Sequence, residues 1–279
     1  MILSRIERKK FKIKIFFLLL LLGLIFQPSV SAAKRQQVSC KSVIFSDSTK
    51  GKRLYGKNVQ AKVLPASTTK VMTALVVLER LSLDKYVGVS SMATGVEPSK
   101  IYLKPGEAYK VKDLLYAALI SSANDASVVL AEAVAGSEEK FVELMNARAR
   151  KLGARHTKFA NANGLSVKNR VQYTTAYDMY LIFKEALKYD FFRTAIKYRY
   201  KTIFSKEGRK ISFTNHNKIL FKGWKEKIYG KTGYTRAAEA CFVGTLERGK
   251  STFIIAVFGC DQRWDDIKYI VSRYGGVPL

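Results

Sequence analysis

Apolar positions recur at helical spacing through the middle of the chain and follow strand-like patterns towards both ends. Helical periodicity predicts helices over residues 67–78, 111–120, 126–135, 137–152, 175–188 and 267–274. Short apolar runs bounded by turn residues predict strands within residues 42–64 and over 195–204, 210–213, 241–246 and 252–258. We therefore expect an α/β fold of the α+β kind, in which one antiparallel sheet built from both chain ends is flanked by helices and the central helices form a subdomain.

The first 32 residues differ from the rest of the chain. Six basic residues precede an apolar run over residues 15–26, and Val30-Ser-Ala32 offers small residues for cleavage. This pattern is typical of a secretory signal peptide over residues 1–32. An uncleaved N-terminal membrane tether is the alternative, although the run is shorter than the roughly 20 residues that a spanning helix needs. Either way we expect an exported protein of the periplasm or cell-wall space, with residues 33–279 as its folded domain.

The chain is strongly basic, with a formal net charge of +27 over 279 residues. Without residues 1–32, which hold six basic residues and Glu7, a charge of +22 is left. Such a charge often indicates a nucleic-acid partner, but export argues against nucleic acid here. The expected partners are anionic membrane lipids or anionic wall polymers, attracted at long range. The alternative is a solvated basic surface with no specific partner.

Cysteine and histidine positions limit the redox and metal chemistry. The three cysteines, Cys40, Cys241 and Cys260, cannot all pair within one chain. Cys241 and Cys260 lie in apolar, strand-like segments, so we expect buried free thiols there, with a Cys241–Cys260 disulfide as the alternative. His156 and His216 lack metal-ligand spacing, and we expect neither a metal nor another cofactor.

Candidate chemistry lies in three short strings, which follow in the order Ser67-Thr-Thr-Lys70, Ser122-Ala-Asn124 and Lys231-Thr-Gly233. Ser67 stands at the predicted head of a helix, whose free backbone N–H groups favour developing negative charge. Lys70 lies one turn later on the same face, where a desolvated lysine near another cation has a lowered pKa and can take the serine proton. An exposed helix start is the alternative, but the apolar residues that follow Ser67 favour a buried helix.

The second and third strings are predicted to lie at a helix break and on a strand. At the break, Ser122 could pass a proton to a leaving amine and Asn124 could hydrogen-bond a substrate amide, with ordinary helix capping as the alternative. On the strand, Lys231 supplies a cation for a carboxylate, Thr232 supplies a hydroxyl, and Gly233 allows close approach to the backbone. Together the strings predict a serine enzyme that acylates itself on a peptide or lactam carbonyl.

With their flanking residues, the strings resemble the penicillin-interacting serine enzymes. The matching segments are Pro65–Ala74, Ser121–Ala126, Asn161–Leu165, Thr175–Asp178, Gly230–Thr235 and Gly259–Trp264. They look like the low-molecular-mass penicillin-binding proteins that are serine-type D-alanyl-D-alanine carboxypeptidases, the peptidase S11 family. The resemblance covers about residues 40–275 and implies a β-lactamase/transpeptidase-like fold, with residues 33–279 as a D,D-peptidase domain.

The resemblance implies catalytic roles at matched positions. Ser67 would be the acylated nucleophile and Lys70 its base. Ser122 and Asn124 would form the second catalytic element. The backbone N–H groups of Ser67 and Tyr234 would form the oxyanion hole.

Recognition of the substrate's terminal carboxylate is also implied by the resemblance. Lys231, Thr232 and Gly233 would form the binding strand. Arg263 matches a family arginine that reaches the same carboxylate, as a planar guanidinium fork allows, and a surface arginine is the alternative. The stretch Arg236-Ala-Ala-Glu239 departs from a glycine-richer family pattern, which leaves the substrate preference near this strand open.

The implied activity is a carboxypeptidase that trims peptidoglycan stem peptides through an acyl-enzyme and that β-lactam antibiotics inhibit covalently. A D,D-endopeptidase that cuts peptidoglycan cross-links is the first alternative, since we expect neither the all-β domain nor the C-terminal anchor of longer members after Leu279. A β-lactamase is a further alternative, which residues 159–165 disfavour because they contain no glutamate for deacylation. A non-catalytic wall-binding module is disfavoured because all three strings are intact.

Overall fold

Strands from both ends of the described chain form one antiparallel sheet. The computed structural model describes residues 38–167 and 169–279. In chain order, the strands are β1 (Ser42–Asp47), β2 (Lys52–Lys57), β3 (Tyr86–Gly88), β4 (Ala108–Lys110), β5 (Tyr200–Phe204), β6 (Lys210–Thr214), β7 (Tyr229–Thr235), β8 (Glu239–Arg248) and β9 (Ser251–Cys260). The main sheet has the order β2-β1-β9-β8-β7, while β3 pairs with β4 and β5 with β6 in separate two-stranded sheets.

Helices cover both faces of the main sheet. In chain order, they are α1 (Lys70–Leu78), α2 (Ser91–Thr94), α3 (Val111–Tyr116), α4 (Asn124–Ala135), α5 (Glu138–Lys151), α6 (Ala176–Ala186), α7 (Asp190–Ala195) and α8 (Arg263–Gly275). Helix α1 is buried from Lys70 to Val77 and packs against α4, α5 and α6. Helix α8 packs against β2, β8 and β9, over a separate core on the other face of the sheet.

Strand β9 illustrates why a central strand of this sheet has a nearly continuous apolar sequence. Ile254 and Ala256 join the core beneath the central helices, whereas Ile255 and Val257 join the core under α8. A strand that is buried on both faces needs apolar residues at successive positions rather than at alternate ones. The expected α+β fold, with a sheet built from both chain ends and a subdomain of central helices, is confirmed.

The sequence predicted the start of helix α6 correctly and the start of strand β5 incorrectly. The Thr175 side chain caps α6, because its Oγ1 accepts a hydrogen bond from the Asp178 backbone N–H at 3.0 Å. The strand predicted from residue 195 begins instead at Tyr200, since the preceding segment forms α7 and buries Phe192 and Ala195 in the core.

The disulfide of the molecule joins Cys40 to Cys260, so both expectations for Cys260 were wrong. Continuing the register of β1 and β9 beyond the Ser42–Phe258 pair places Cys40 directly opposite Cys260. Cys241 is a buried free thiol, as expected. It belongs to the core beneath the central helices, while Cys40 and Cys260 belong to the core under α8, and the sheet therefore separates Cys241 from the other two.

The predicted signal segment, residues 1–32, lies outside the residues that the structure describes and stays a prediction. Within residues 38–167 and 169–279, no helix is both long and apolar enough to cross a membrane.

Candidate active site

Ser67 lies in a 3₁₀ turn, Ala66–Thr69, that leads directly into α1. Ala66 adopts a left-handed φ of 46°, which costs a non-glycine residue energy and is found mostly at functional sites. The Thr68 hydroxyl and backbone N–H both donate to the Pro65 carbonyl, at 2.7 and 3.2 Å. These bonds fix the turn and place the Ser67 side chain, which is partly exposed, at the mouth of a cleft.

Two glycines of other segments approach the Ser67 turn closely. A Cβ at Gly164 would lie 1.8 Å from the Ala66 carbonyl oxygen, and a Cβ at Gly233 would lie 3.1 Å from the Ser67 backbone nitrogen. The backbones of the 161–165 loop and of β7 therefore pack directly against the turn. In particular, Gly233 brings the third string against the backbone N–H of the proposed nucleophile.

Lys70 is fully buried and its amine has three hydrogen-bond acceptors. The Nζ atom donates to Ser67 Oγ at 3.0 Å, to Asn124 Oδ1 at 2.7 Å and to the Asn163 carbonyl at 2.8 Å. Burial lowers the pKa of Lys70 well below its ordinary value, the charge of Lys231 lowers it further, and Asp125 acts in the opposite direction.

A neutral Lys70 would aim its lone pair at the serine. The amine then has two N–H groups, and these can stay with the two acceptors that have no proton to give, Asn124 Oδ1 and the Asn163 carbonyl. The remaining direction points at Ser67 Oγ, whose hydroxyl can donate. The arrangement therefore fits a lysine that takes the proton of Ser67.

The second string follows a π turn, Ala117–Ser121, where the predicted second helix leaves its regular path. The turn ends at Ser122, which has a left-handed φ of 63° and is buried. This break directs the Ser122 hydroxyl towards Lys231, whose Nζ donates to it at 2.9 Å. Ser122 thereby lies between the third string and the interior of the cleft.

The expectation that Asn124 binds a substrate amide stays a prediction, and the structure adds protein partners for its side chain. Its side chain is buried, its Oδ1 accepts from Lys70, and its Nδ2 donates to the Glu97 carbonyl at 2.8 Å. Its backbone N–H donates to the Ser99 carbonyl at 2.7 Å. Asn124 therefore orients the amine of Lys70, and its second Nδ2 proton has no part in these bonds.

Lys231, on β7, is fully buried next to Ser122. Its Nζ also donates to the Thr232 carbonyl, at 2.8 Å. Burial and, secondly, the nearby Arg263 charge lower the pKa of Lys231 to about 7. A carboxylate placed beside Lys231 would favour the charged form of its amine.

Arg263 is the first residue of α8 and borders the same cleft. Its Nη1 donates to the carbonyls of Gly233 and Cys241, at 3.1 and 2.6 Å. Its Nε is buried and has no hydrogen-bond partner in the described part of the chain. Burial lowers the pKa of Arg263 to about 10, and an anion in the cleft would offset this cost.

The cleft has a volume of about 760 Å³ and brings the predicted residues together. Its lining includes Ser67, Ser122, Asn124, Thr232, Gly233, Tyr234 and Arg263. The two buried lysines lie behind this lining and bond to it. Among the described residues that line it, there are two further lysines, Lys100 and Lys218, and no carboxylate side chain. The cleft therefore suits an anionic ligand.

The sequence patterns predicted no role for two groups that lie at the site. The Asn163 carbonyl holds Lys70, although Asn163 belongs to a segment, Asn161–Leu165, that carried part of the resemblance. Inside that loop, Asn161 Oδ1 accepts from the Gly164 backbone N–H at 2.6 Å. His216 lines the cleft, and desolvation, then the charges of the two lysines, lower its pKa to about 4. Backbone carbonyls have no sequence signal, and a single histidine has only a weak one.

Potential metal ligands meet at a different place. The ligand atoms of Cys40, Cys260 and Asp266 lie within 4.8 Å of one another. Both sulfur atoms belong to the disulfide, so this cluster does not offer two thiolates to a metal ion.

Comparison with known proteins decides the family. The sequence profile of peptidase S11, described as D-alanyl-D-alanine carboxypeptidase, matches residues 29–262. The chain belongs to the peptidase S11 family. The family assignment confirms the resemblance that the three strings and their flanking segments carry.

The proteins to which this chain is similar bear more than one named activity. The chain is 36% identical over 251 residues to the D-alanyl-D-alanine carboxypeptidase DacF of Bacillus subtilis, covering 86% of this chain and 64% of that protein. It is 31% identical over 235 residues to a D-alanyl-D-alanine endopeptidase of Pseudomonas aeruginosa, covering 82% and 74%. The crystal structure of the Streptomyces K15 DD-transpeptidase matches with a TM-score of 0.79 at 26% identity, covering 86% of this chain and 98% of that one. The chain thus spans less than two thirds of the Bacillus relative's length.

Proposed function

We propose that this S11 protein is a serine-type D-alanyl-D-alanine carboxypeptidase that trims peptidoglycan stem peptides. The observation that carries the proposal is the buried Lys70 amine, whose acceptors leave it one proton-accepting direction, towards Ser67 Oγ. The similarity to D-alanyl-D-alanine carboxypeptidases supplies the substrate class.

Acylation would begin when Ser67 Oγ attacks the carbonyl carbon of the D-Ala–D-Ala bond and Lys70 takes the hydroxyl proton. The backbone N–H groups of Ser67 and Tyr234 would stabilise the resulting oxyanion. The C–N bond then breaks, and the proton that Lys70 took from Ser67 is passed through the hydroxyl of Ser122 to the amine of the leaving D-alanine, so that Lys70 is neutral again.

Hydrolysis of the acyl-enzyme would complete the cycle. Water attacks the ester carbonyl, gives up one proton, and releases the shortened peptide, while Ser67 regains its hydroxyl proton. Lys70 can exchange protons with Ser67 Oγ, which lies 3.0 Å from its amine. The terminal carboxylate of the intact substrate would lie near Lys231, Thr232 and Arg263, where the cleft is cationic.

A β-lactam would react at the same serine. Attack of Ser67 Oγ on the lactam carbonyl opens the ring, and the nitrogen that leaves stays attached to the acyl group. Because residues 159–165 contain no glutamate, we expect the penicilloyl-enzyme to persist rather than turn over.

Penicillin labelling tests the nucleophile. Wild type should become covalently labelled by a fluorescent penicillin, and Ser67→Ala should not. Ser212→Ala, which removes another serine hydroxyl from the cleft lining, is the matched control and should still label. An unlabelled wild type, or a labelled Ser67→Ala variant, would contradict the proposal, and rapid release of penicilloic acid would favour a β-lactamase instead.

An endopeptidase that cuts D,D cross-links is the second candidate, because the Pseudomonas relative bears that name. Monomeric and cross-linked muropeptides, digested side by side and followed by mass spectrometry, distinguish the two. A carboxypeptidase releases D-alanine from monomers ending in D-Ala-D-Ala. An endopeptidase instead converts cross-linked dimers to monomers.

We also propose that the protein is exported and that residues 1–32 act as its signal. The basic cluster, the apolar run and Val30-Ser-Ala32 support export. A mature protein that begins at residue 33 is the expected result of N-terminal sequencing, whereas an intact Met1 in the membrane fraction would indicate an uncleaved tether.

The charge of +22 on residues 33–279 supports attraction to anionic lipids or wall polymers. Pelleting with anionic vesicles or isolated walls at rising salt concentration would test this attraction.

A further inference from the structure

A segment from the N-terminal side of the sheet is fastened to the start of helix α8. The disulfide joins Cys40 to Cys260, which is the last residue of β9 and precedes Arg263 by three positions. The Asp266 carboxylate, in the first turn of α8, accepts from the Ser39 backbone N–H at 3.1 Å and from the Cys40 backbone N–H at 3.2 Å. The Ser39 hydroxyl donates to the same carboxylate at 2.5 Å.

Ser39 also holds the turn that leads into α8, whose N-cap residue makes no capping bond of its own. The side chain of the N-cap residue, Gln262, makes no capping hydrogen bond. Instead, Ser39 Oγ accepts from the backbone N–H groups of Asp261 and Gln262, at 3.1 and 3.0 Å. Free N–H groups at a helix start are usually satisfied by a neighbouring side chain. Here a residue more than 220 positions away does so, and the disulfide keeps it in place.

The side chain that depends on this helix start is Arg263. Its hydrogen bonds to other described residues use a single nitrogen, Nη1, which contacts the carbonyls of Gly233 and Cys241. Its guanidinium also lies 4.2 Å from the ring centre of Trp264, the next residue of the same helix. The position of the guanidinium in the cleft is therefore set by where the first turn of α8 begins.

We propose that the Cys40–Cys260 disulfide, with Ser39 and Asp266, is a positioning device that holds Arg263 in reach of a substrate's terminal carboxylate. The inference rests on the proposed function, since it concerns how that site recognises its substrate. It assigns Ser39, Cys40, Cys260 and Asp266 a role in substrate affinity that acts through Arg263.

The device is separate from the groups that would activate the serine. Lys70 is held by Ser67, Asn124 and the Asn163 carbonyl, whereas Ser39 and Cys40 hydrogen-bond to Asp261, Gln262 and Asp266. Reduction of the disulfide by a dithiol adds two electrons and two protons, breaks the S–S bond, and leaves two thiols. The turn before Arg263 then loses its covalent anchor, while the hydrogen bonds of Lys70 are unaffected.

The experiment compares a Cys40→Ser/Cys260→Ser double variant with wild type on two substrates. One is an N-acylated peptide that ends in D-Ala-D-Ala, and the other is the same peptide with a C-terminal amide. For the acid we expect KM to rise about tenfold in the double variant, with kcat within about twofold, because a misplaced binding group costs affinity. The amide has no carboxylate for Arg263, so its kcat/KM should change little.

Two controls accompany this comparison. Dithiothreitol should give wild type the kinetics of the double variant, and it should not change the double variant itself. Ser39→Ala keeps the disulfide but loses the hydrogen bonds of the Ser39 hydroxyl to Asp261, Gln262 and Asp266, so it should give a smaller rise in KM, about threefold. This variant also keeps the test valid if the double variant does not fold.

Equal losses for acid and amide, or a fall in kcat at constant KM, would show a general structural role and overturn the inference. A wild type that cleaves neither peptide would refute the proposed function instead. In that case amide hydrogen exchange at Asp261 and Gln262 decides the inference. Faster exchange in the Ser39→Ala and double variants supports it, and unchanged exchange overturns it.

Discussion

At the scale of single residues, the proposed acylation depends on keeping Lys70 uncharged. Burial is the main cause of its lowered pKa, and Lys231 adds to the effect. Asn124 contributes by being neutral, because its Oδ1 accepts a hydrogen bond from Lys70 at 2.7 Å without supplying a negative charge. An amide at this position therefore orients the lysine and favours its protonated form far less than a carboxylate would.

Asn124→Asp tests this requirement directly. A carboxylate of the same shape, 2.7 Å from Nζ, would raise the pKa of Lys70, so the neutral amine would form only at higher pH. We expect the acid limb of the penicillin acylation rate against pH to move upward by about one unit or more, each unit corresponding to about 1.4 kcal/mol. Asn169→Asp adds the same charge at an exposed position and should leave the limb in place. An unshifted limb in Asn124→Asp would contradict the role assigned to Lys70.

At the scale of elements, three segments distant in sequence meet at the Ser67 turn. The loop over 161–165 and strand β7 approach it through Gly164 and Gly233, where side chains would collide. The contact with Gly164 also fixes the neighbouring Asn163 carbonyl, which holds Lys70. Small residues at the crossing are therefore needed for both the shape and the chemistry of the site.

Gly164→Ala measures how much the close contact between Gly164 and the Ser67 turn contributes to stability and to acylation. Its Cβ would lie 1.8 Å from the Ala66 carbonyl oxygen, and Gly164 has a φ of +86°. Gly106 has a nearly identical φ of +85° with open space around it, so Gly106→Ala should cost only the backbone strain, roughly 1–2 kcal/mol. We expect Gly164→Ala to lower the free energy of unfolding by at least about 2 kcal/mol more than this control, and to slow penicillin acylation. Equal losses in denaturant unfolding of the two variants would mean that the loop can move away.

The same elements show how far the sequence alone could predict the site. The meeting of Ser67, Lys70 and Lys231 at one candidate site was predictable, because each lies in a short string whose helix or strand could be inferred from neighbouring residues. The partner of Cys260 was not, because the register between β1 and β9 decides it and register is a tertiary property. The contact of Lys70 with the Asn163 carbonyl was equally hidden, since every residue has a carbonyl and only the folded loop selects one.

At the scale of the whole molecule, the buried lysines of the candidate site lower the free energy of unfolding. Lys70 and Lys231 are both fully buried amines whose hydrogen-bond partners are neutral oxygens, so that each is costly to bury in its protonated form. For Lys231 the pKa falls from 10.5 to about 7, a difference that corresponds to a folding penalty on the order of 5 kcal/mol when the group is protonated in both states. The penalty is full below pH 7. It is relieved as pH rises towards 10.5, because the folded chain has then released a proton that the unfolded chain still binds.

Lys231→Met should therefore produce a more stable but inactive protein. We expect the free energy of unfolding to rise by about 2 kcal/mol at pH 6. At pH 9 the difference from wild type should fall to within about 0.5 kcal/mol of zero. Lys184→Met, at an exposed position of α6, should change stability by no more than about 0.5 kcal/mol at either pH. Urea unfolding at the two pH values provides the comparison, and a gain for Lys231→Met that is the same at both would exclude the proposed pKa effect.

The central place of β9 in the sheet also constrains the order in which the molecule can be assembled. This strand separates β1 from β8, yet it is made about 200 residues after β1, as the Ser42–Phe258 pair illustrates. While a ribosome is still adding residues before Ser251, β1 and β8 each have an unpaired edge, and such edges favour aggregation. The Ser67 turn is synthesised early, but the sheet can form completely only after β9 has been made, so β1 must wait for its partner while the roughly 200 residues between them are added.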